Sequence, residues 1–210
     1  MPQSAVSVGL KLQEYLGMSR RPVGVKILRP GEVPVGYAFD QLDSRAPFCR
    51  FVSEAAGGKN FIMTLDDLKC NNAELTLGLR EPHYGEIGLR IPGKVAALRI
   101  GPLEDADVVM LVLQPAQAMT ASLIVEGIQM RFRRNRAVCG DNMAEVFDSG
   151  KPRLSFLCVG SRTSGGFGPD ELVLSLPYKQ FMELTPKMSK LAQMSRKAQD
   201  TLVDRLAKIH

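Results

Sequence analysis

The chain has no tryptophan, only two histidines and only four cysteines among its 210 residues. No two cysteines form a C-x-x-C pair, so the clustered ligand spacings of ferredoxins and zinc fingers are missing. The chain also lacks a P-loop, and no apolar run approaches the length of a membrane span. A Cys–His nucleophile pair would have to use His83, which lies in a predicted exposed loop.

The composition is that of an ordinary globular protein, with 45% hydrophobic and 23% charged residues. The first residues lack the basic and then apolar pattern of a signal peptide. We therefore expect a single cytoplasmic domain spanning residues 1–210, with no membrane partner. Cysteines stay reduced in the cytoplasm, so metal binding, redox chemistry or plain burial is expected before structural disulfides.

The net charge of +5 is mildly basic, and four arginines cluster in one short segment. These are Arg131, Arg133, Arg134 and Arg136. We interpret the cluster as the solvated end of a helix, where cations complement the helix dipole. No RNA-binding or DNA-binding motif accompanies it, so a nucleic-acid partner is not expected.

Helical and strand patterns alternate along the whole chain. Ser4 is a candidate cap for a helix over residues 4–16, and the apolar run 107–113 predicts a central strand. Further helices are predicted at 115–130 and, as an amphipathic C-terminal helix, at 185–210. This alternation predicts an α/β or α+β fold that has a mixed sheet with flanking helices.

Each cysteine lies where one predicted element gives way to another. Cys49 and Cys70 are 21 positions apart, and Cys139 and Cys158 are 19 apart. Both pairs flank a short predicted helix followed by a strand. This spacing is consistent with two pseudo-repeated halves that contribute one cysteine pair each, or with coincidence.

Cysteines at helix starts have backbone N–H groups nearby that stabilise a thiolate. We hypothesise that Cys49, Cys70, Cys139 and Cys158 ligate one iron–sulfur cluster, of the 4Fe–4S type. The protein would then transfer electrons to a redox partner protein or bind a small anionic ligand at the cluster. Candidate groups around the cofactor are Arg50, Gly140, Asp141, Gly160, Ser161 and Arg162.

Three alternatives stay open. The four thiols could hold zinc, although zinc usually stabilises small domains that lack a sufficient core. A thiol-dependent redox or transfer enzyme could use Cys139 or Cys158, beside a flexible glycine-rich loop at 163–169. The protein could also be a small-molecule binding module whose cysteines only pack. The C-terminal helix could serve a partner protein or a homo-oligomer.

The chain contains, in order, the motifs PVGVKI, PFCRFVSEAAGG, DLKCNNAELTLGL, DADVVMLVLQPAQAM, CGD, SFLCVGSR and DELVLSLP, within a match over about residues 22–190. In this order they resemble the uncharacterised archaeal and bacterial ArCR family, also called domain of unknown function 169. The resemblance implies a soluble prokaryotic protein and makes the four cysteines candidate functional positions. It supplies no reaction.

Overall fold

The computed structural model describes residues 3–33, 36–84, 86, 88–130 and 138–194. Seven strands within these residues form one sheet. They are β1 (Val23–Leu28), β2 (Phe61–Met63), β3 (Ala97–Gly101), β4 (Val108–Leu113), β5 (Gln129–Met130), β6 (Arg153–Phe156) and β7 (Leu172–Pro177). Their order is β2-β3-β1-β4-β7-β6-β5, antiparallel except for the parallel pair β5 and β6. The predicted mixed sheet is confirmed.

Helices cover both faces of this sheet. The described residues contain α1 (Ala5–Leu16), α2 (Phe48–Ala56), α3 (Asn71–Thr76), α4 (Pro115–Ala121), α5 (Val138–Ser149), α6 (Val159–Thr163), α7 (Tyr178–Met182) and a further helix, α8, over 184–194. Residues of α2, α3 and α5 join one buried apolar cluster, and residues of α1, α4 and α7 join another. We call the side that carries α2, α3 and α5 the thiol face.

Strand β4 shows how the sequence produces these two cores. All six of its residues are buried, as the apolar run predicts for a central strand. Val108 and Met110 belong to the core of the thiol face, whereas Val109 and Leu111 belong to the other core. Successive side chains of a strand point to opposite faces, so a strand covered on both sides must be apolar throughout.

The strand order has an internal symmetry. Strands β1, β2 and β3 of the first half lie in the order β2-β3-β1, and strands β4, β6 and β7 of the second half continue as β4-β7-β6. The two halves meet at the antiparallel pair β1 and β4. This mirrored order matches the two pseudo-repeated halves that the cysteine spacing indicates.

The helix predicted over 115–130 is too long. Helix α4 ends at Ala121, and Gly127 then adopts a left-handed conformation with φ of 73°, which a continuing helix cannot accommodate. The chain instead reaches β5, where Gln129 N–H donates to the carbonyl of Pro152 at 2.9 Å. Of the predicted last helix, 184–194 is helical, whereas residues 195–210 and the arginine cluster lie outside the described residues.

No helix in the described part of the chain combines the length and the apolar character needed to cross a membrane.

Helix α1 follows its prediction closely. The hydroxyl of Ser4 accepts from the N–H of Ser7 at 3.2 Å, and Gly17 ends the helix with φ of 62°.

Candidate functional site

The four cysteines line a single cavity of about 60 Å³ on the thiol face. We call it the thiol cavity. Its remaining walls are Pro47, Phe48, Ala73, Val138, Gly140, Gly160 and Ser161. The cavity is far smaller than the roughly 300–1,000 Å³ of ordinary small-molecule pockets. It therefore suits an inorganic group or a ligand of a few atoms.

Four helix starts bring the cysteines together. Cys49 is the second residue of α2, and Cys139 is the second residue of α5. Cys70 directly precedes α3 and Cys158 directly precedes α6, each in an extended conformation at the N-cap. The same unit thus occurs twice, as α2-β2-α3 and as α5-β6-α6. It consists of a helix, a strand and a short helix with a cysteine at its N-cap. Each half of the molecule supplies one cysteine of each kind.

A close contact between two helices lies beside Cys139. A Cβ atom on Gly140 would lie 3.6 Å from Cβ of Ala73 and 3.7 Å from Cδ2 of Leu77. The first turn of α5 therefore packs directly against α3. This packing carries the Cys139 sulfur toward the end of α3 that Cys70 caps.

The four sulfurs differ in depth. All four cysteines are free thiols, and Cys49 and Cys139 are buried, with 7% and 3% of their surface exposed. Cys70 and Cys158 are half-buried. The cavity therefore has an inner pair of thiols and an outer pair nearer the solvent.

Burial keeps the inner thiols protonated. Burial is the main cause that raises the pKa of Cys49 to about 11. A hydrogen bond with Ser161 lowers this pKa in part, and the sulfurs of Cys158 and Cys70 raise it further. Burial likewise raises the pKa of Cys139 well above its usual range, and the sulfurs of Cys49 and Cys158 contribute. A nucleophilic cysteine needs a lowered pKa, so these surroundings disfavour Cys139 in that role.

One hydroxyl affects three of the thiols. Ser161 is 1% exposed, and its Oγ lies 3.3 Å from Sγ of Cys158. The same side chain partly offsets the effect of burial on the pKa values of Cys49 and Cys139. Its place in the first turn of α6, three residues after Cys158, turns the hydroxyl toward the thiol cavity.

The glycine-rich segment 163–169, predicted to be a flexible loop, is anchored over Cys49. A Cβ on Gly165 would lie 2.7 Å from Sγ of Cys49 and 2.4 Å from the carbonyl oxygen of Ser161. The next carbonyl, of Gly166, accepts from Arg20 at 3.1 Å and from the hydroxyl of Ser53 at 3.2 Å. Only a glycine permits such a close approach to the sulfur.

An ion pair holds Arg20 in that position. Its Nε lies 2.6 Å from Oε1 of Glu171, and its second donor lies 2.9 Å from Oε2. Oε2 of Glu171 also accepts from the N–H of Gly168 at 2.6 Å. These hydrogen bonds therefore hold the loop against α2 and against Arg20, which lies between α1 and β1.

The predicted cofactor residues divide into two sets. Gly140, Gly160 and Ser161 line the thiol cavity. The three charged candidates bond instead to other parts of the protein. Arg50 pairs with the carboxylate of Glu54, Asp141 accepts from the hydroxyl of Thr76 at 3.0 Å, and Arg162 donates to the carbonyls of Gly168 and Glu171.

A second, larger cavity of about 550 Å³ adjoins the thiol cavity. We call it the cationic cleft. Its walls are Leu42, Asp43, Ser44, Arg45, Ala46, Pro47, Arg50, Lys69, Cys70, Gly160 and Ser164. Pro47, Cys70 and Gly160 line both cavities. Sequence patterns predict no role for Arg45, because it lies in an irregular segment where no periodicity orients a side chain.

The cysteine side chains do not form a closed site for a single ion. Among the described residues, no group of three or more histidine, cysteine, aspartate or glutamate side chains could hold a metal ion as arranged. Structural zinc needs four sulfurs at about 2.3 Å from one centre. A cluster of several irons takes the same four thiolates but spreads them around a larger core. The number and type of the donors are those of a zinc or iron–sulfur site, whereas their arrangement among the described residues does not form a metal-binding group.

Comparison with known proteins identifies a family whose members are described as uncharacterised. The family model for domain of unknown function 169, described as uncharacterised ArCR, matches residues 11–186. An uncharacterized protein of Methanocaldococcus jannaschii is 22% identical over 219 aligned positions, which cover 88% of this chain and 93% of that protein. No solved structure matches.

Proposed function

The chain belongs to the uncharacterised ArCR family, and we propose that it is an iron–sulfur protein that holds a 4Fe–4S cluster through Cys49, Cys70, Cys139 and Cys158. One observation carries the proposal: four cysteines spread over more than a hundred residues line one small cavity. Four thiolates are the usual ligand set of such a cluster, which supplies one-electron chemistry or a site for a small ligand.

The surroundings of the cavity support an anionic, sulfur-rich group. Ser161 offers a hydroxyl that already contacts the sulfur of Cys158, and Gly140 and Gly160 line the wall without side chains. Hydrogen bonds to sulfur tune the potential of such a centre. Because the inner thiols are protonated in the metal-free protein, loading must release their protons.

The difference in depth indicates where a partner would approach. Cys49 and Cys139 lie against the core, whereas Cys70 and Cys158 are half-buried. We propose that a redox partner protein or a small anionic ligand reaches the centre on the side of Cys70 and Cys158. We also propose a cytoplasmic location in a prokaryote, because free thiols persist in a reducing compartment.

A thiol-dependent enzyme is the second candidate, and Cys158 is the residue that favours it. Cys158 is half-buried, lies at a helix N-cap and contacts the hydroxyl of Ser161. Accessible cysteines at helix starts are typical of reactive thiols. Zinc and purely structural cysteines remain as further alternatives to the cluster.

Metal analysis tests the proposal directly. Protein purified without oxygen is expected to show broad visible absorption, with about four irons and four sulfides per chain. Single Cys→Ser changes at the four positions should each lower the iron content, while Ser175→Ala, which alters a buried serine of β7, should not. Folded protein that takes up no iron or sulfide on reconstitution would rule out the cluster. Stoichiometric zinc in the purified protein would show a zinc site instead.

A further inference from the structure

The cationic cleft has the size of a small-molecule site. Its volume of about 550 Å³ falls within the roughly 300–1,000 Å³ typical of ligand pockets. The thiol cavity, at about 60 Å³, is too small for an organic ligand. An organic molecule in the cleft would reach Cys70, which forms part of the wall together with Gly160.

The charges around the cleft are mostly positive. Arg45, Arg50 and Lys69 line it, against the single carboxylate of Asp43. Arg50 is neutralised by Glu54. Lys69 is exposed and has no side-chain hydrogen bond or ion pair with any of the described residues. Arg45 lies 3.8 Å from Oε1 of Glu74. Among the described residues, Lys69 is therefore the cation of the cleft that has no ion-pair partner.

Backbone pairing holds these cations in place. Ala46 and Leu68 form a parallel bridge, with Ala46 N–H donating to Asp67 at 2.9 Å and Lys69 N–H donating to Ala46 at 2.9 Å. The guanidinium of Arg45 donates twice to the carbonyl of Leu68, at 3.0 and 2.6 Å. Arg45 and Lys69 thus lie on two segments that are joined by backbone hydrogen bonds. Their positions are therefore partly preorganised for binding an anion.

We propose that the cationic cleft binds a small organic anion with two or three negative charges, carboxylate or phosphate, through Lys69 and Arg45. The anion would lie against the Cys70 side of the thiol cavity. Its role as the ligand of a metal centre rests on the function proposed above, whereas its binding to the cleft does not. Arginine and lysine side chains are the common protein ligands for both kinds of anion.

Isothermal titration with citrate and with inorganic pyrophosphate tests the cleft. We expect one of the two to bind, and the tighter one assigns the carboxylate or the phosphate class. Lys69→Gln and Arg45→Gln should each weaken its binding about tenfold, as expected for losing one charge-assisted hydrogen bond. Lys151→Gln is the matched control, since Lys151 follows the far end of α5, a 12-residue helix of about 18 Å.

The result overturns the proposal if neither anion binds, or if Lys151→Gln weakens binding as much as Lys69→Gln. Iron and sulfide measured on the same preparations separate the two proposals. Anion binding without iron would support the proposed anion site and contradict the proposed cluster. Iron without anion binding would support the cluster and overturn the cleft.

Discussion

At the scale of single residues, the hydroxyl of Ser161 is the group that most directly affects the thiols. It contacts Sγ of Cys158 and partly offsets the effect of burial on the pKa values of Cys49 and Cys139. If the proposed cluster is present, Ser161→Ala should make it harder to reduce, because a donor to sulfur favours the more negative, reduced state. We expect the reduction potential to fall by about 20–60 mV, from a net hydrogen-bond energy of about 0.5–1.5 kcal/mol.

A redox titration followed by visible absorption measures this shift. The control is Ser175→Ala, which removes a buried hydroxyl that has no hydrogen-bond partner in the described structure. An unchanged potential in Ser161→Ala would mean that the hydroxyl does not reach the metal-bound sulfurs.

Gly165 permits the close approach of the loop to Cys49. A methyl group there would lie within 3 Å of the sulfur and of two atoms of Ser161. Two of these three atoms belong to the backbone, so the clash cannot be relieved by a rotamer change. Gly165→Ala should therefore cut the iron content at least by half and lower stability by about 1–3 kcal/mol. Iron analysis and urea unfolding measure both effects.

Gly88→Ala is the matched control for this change. A Cβ at Gly88 meets nothing within 4 Å, and its backbone φ lies outside the left-handed range. We expect that variant to keep its iron and its stability. Equal behaviour of the two variants would contradict the tight contact between the loop and Cys49.

At the scale of elements, the ion pair of Arg20 and Glu171 joins the glycine-rich loop to α2 and to the segment between α1 and β1. Glu171→Gln would remove a charged acceptor from Arg20 and weaken the bond to Gly168 N–H. Hydrogen bonds to charged groups contribute about 1.5–3 kcal/mol, so the free energy of unfolding should fall by about that amount. Urea denaturation measures it, and Cys49 should then react faster with an alkylating reagent.

Glu126→Gln is the control at this scale. Glu126 also pairs with a cation, Lys187, at 2.9 Å, but 81% of its side chain is exposed. Exposed pairs contribute about 0–1 kcal/mol. If both variants lose the same stability, the loop is not fastened by Glu171.

The elements also show how far sequence reasoning reaches. Apolar periodicity predicted α1 and β4, because those patterns depend only on neighbouring residues. The same patterns predicted all four cysteines at the boundaries of elements, and the structure has them at helix starts. It overextended α4 past Ala121, because a left-handed Gly127 and a bond to Pro152 depend on distant structure. The anchoring of the loop by Arg20, more than 140 residues away in sequence, leaves no local signal.

At the scale of the whole molecule, the mirrored order of the strands accounts for the convergence of the cysteines. Each half supplies one helix with a cysteine at its second residue and one short helix capped by a cysteine. Helices α2 and α5 pack on the same face of the sheet and bring the inner cysteines together. Spacing along the chain could indicate the repeat. It could not show that the halves meet at β1 and β4, since strand pairing is a long-range property.

The raised pKa values of the inner thiols predict how the stability of the metal-free protein depends on pH. Cys49 has a pKa of about 11 in the folded state, against an ordinary value near 9, and the pKa of Cys139 is also raised. The folded state therefore holds these protons more tightly than the unfolded state does. Their contribution is fully present below about pH 9 and is lost as the pH rises through about 11.

Urea unfolding of metal-free protein between pH 8.5 and about 10.5 tests this dependence. Each proton that only the folded state retains lowers the free energy of unfolding by about 1.4 kcal/mol per pH unit. The double variant Cys49→Ser with Cys139→Ser should lose less stability over the same range, because serine does not titrate there. Lysines and tyrosines titrate equally in both proteins, so only the difference between their slopes reports on the thiols. Parallel slopes would mean that the inner thiols are not protonated by burial, and the proton release proposed for metal loading would then fail as well.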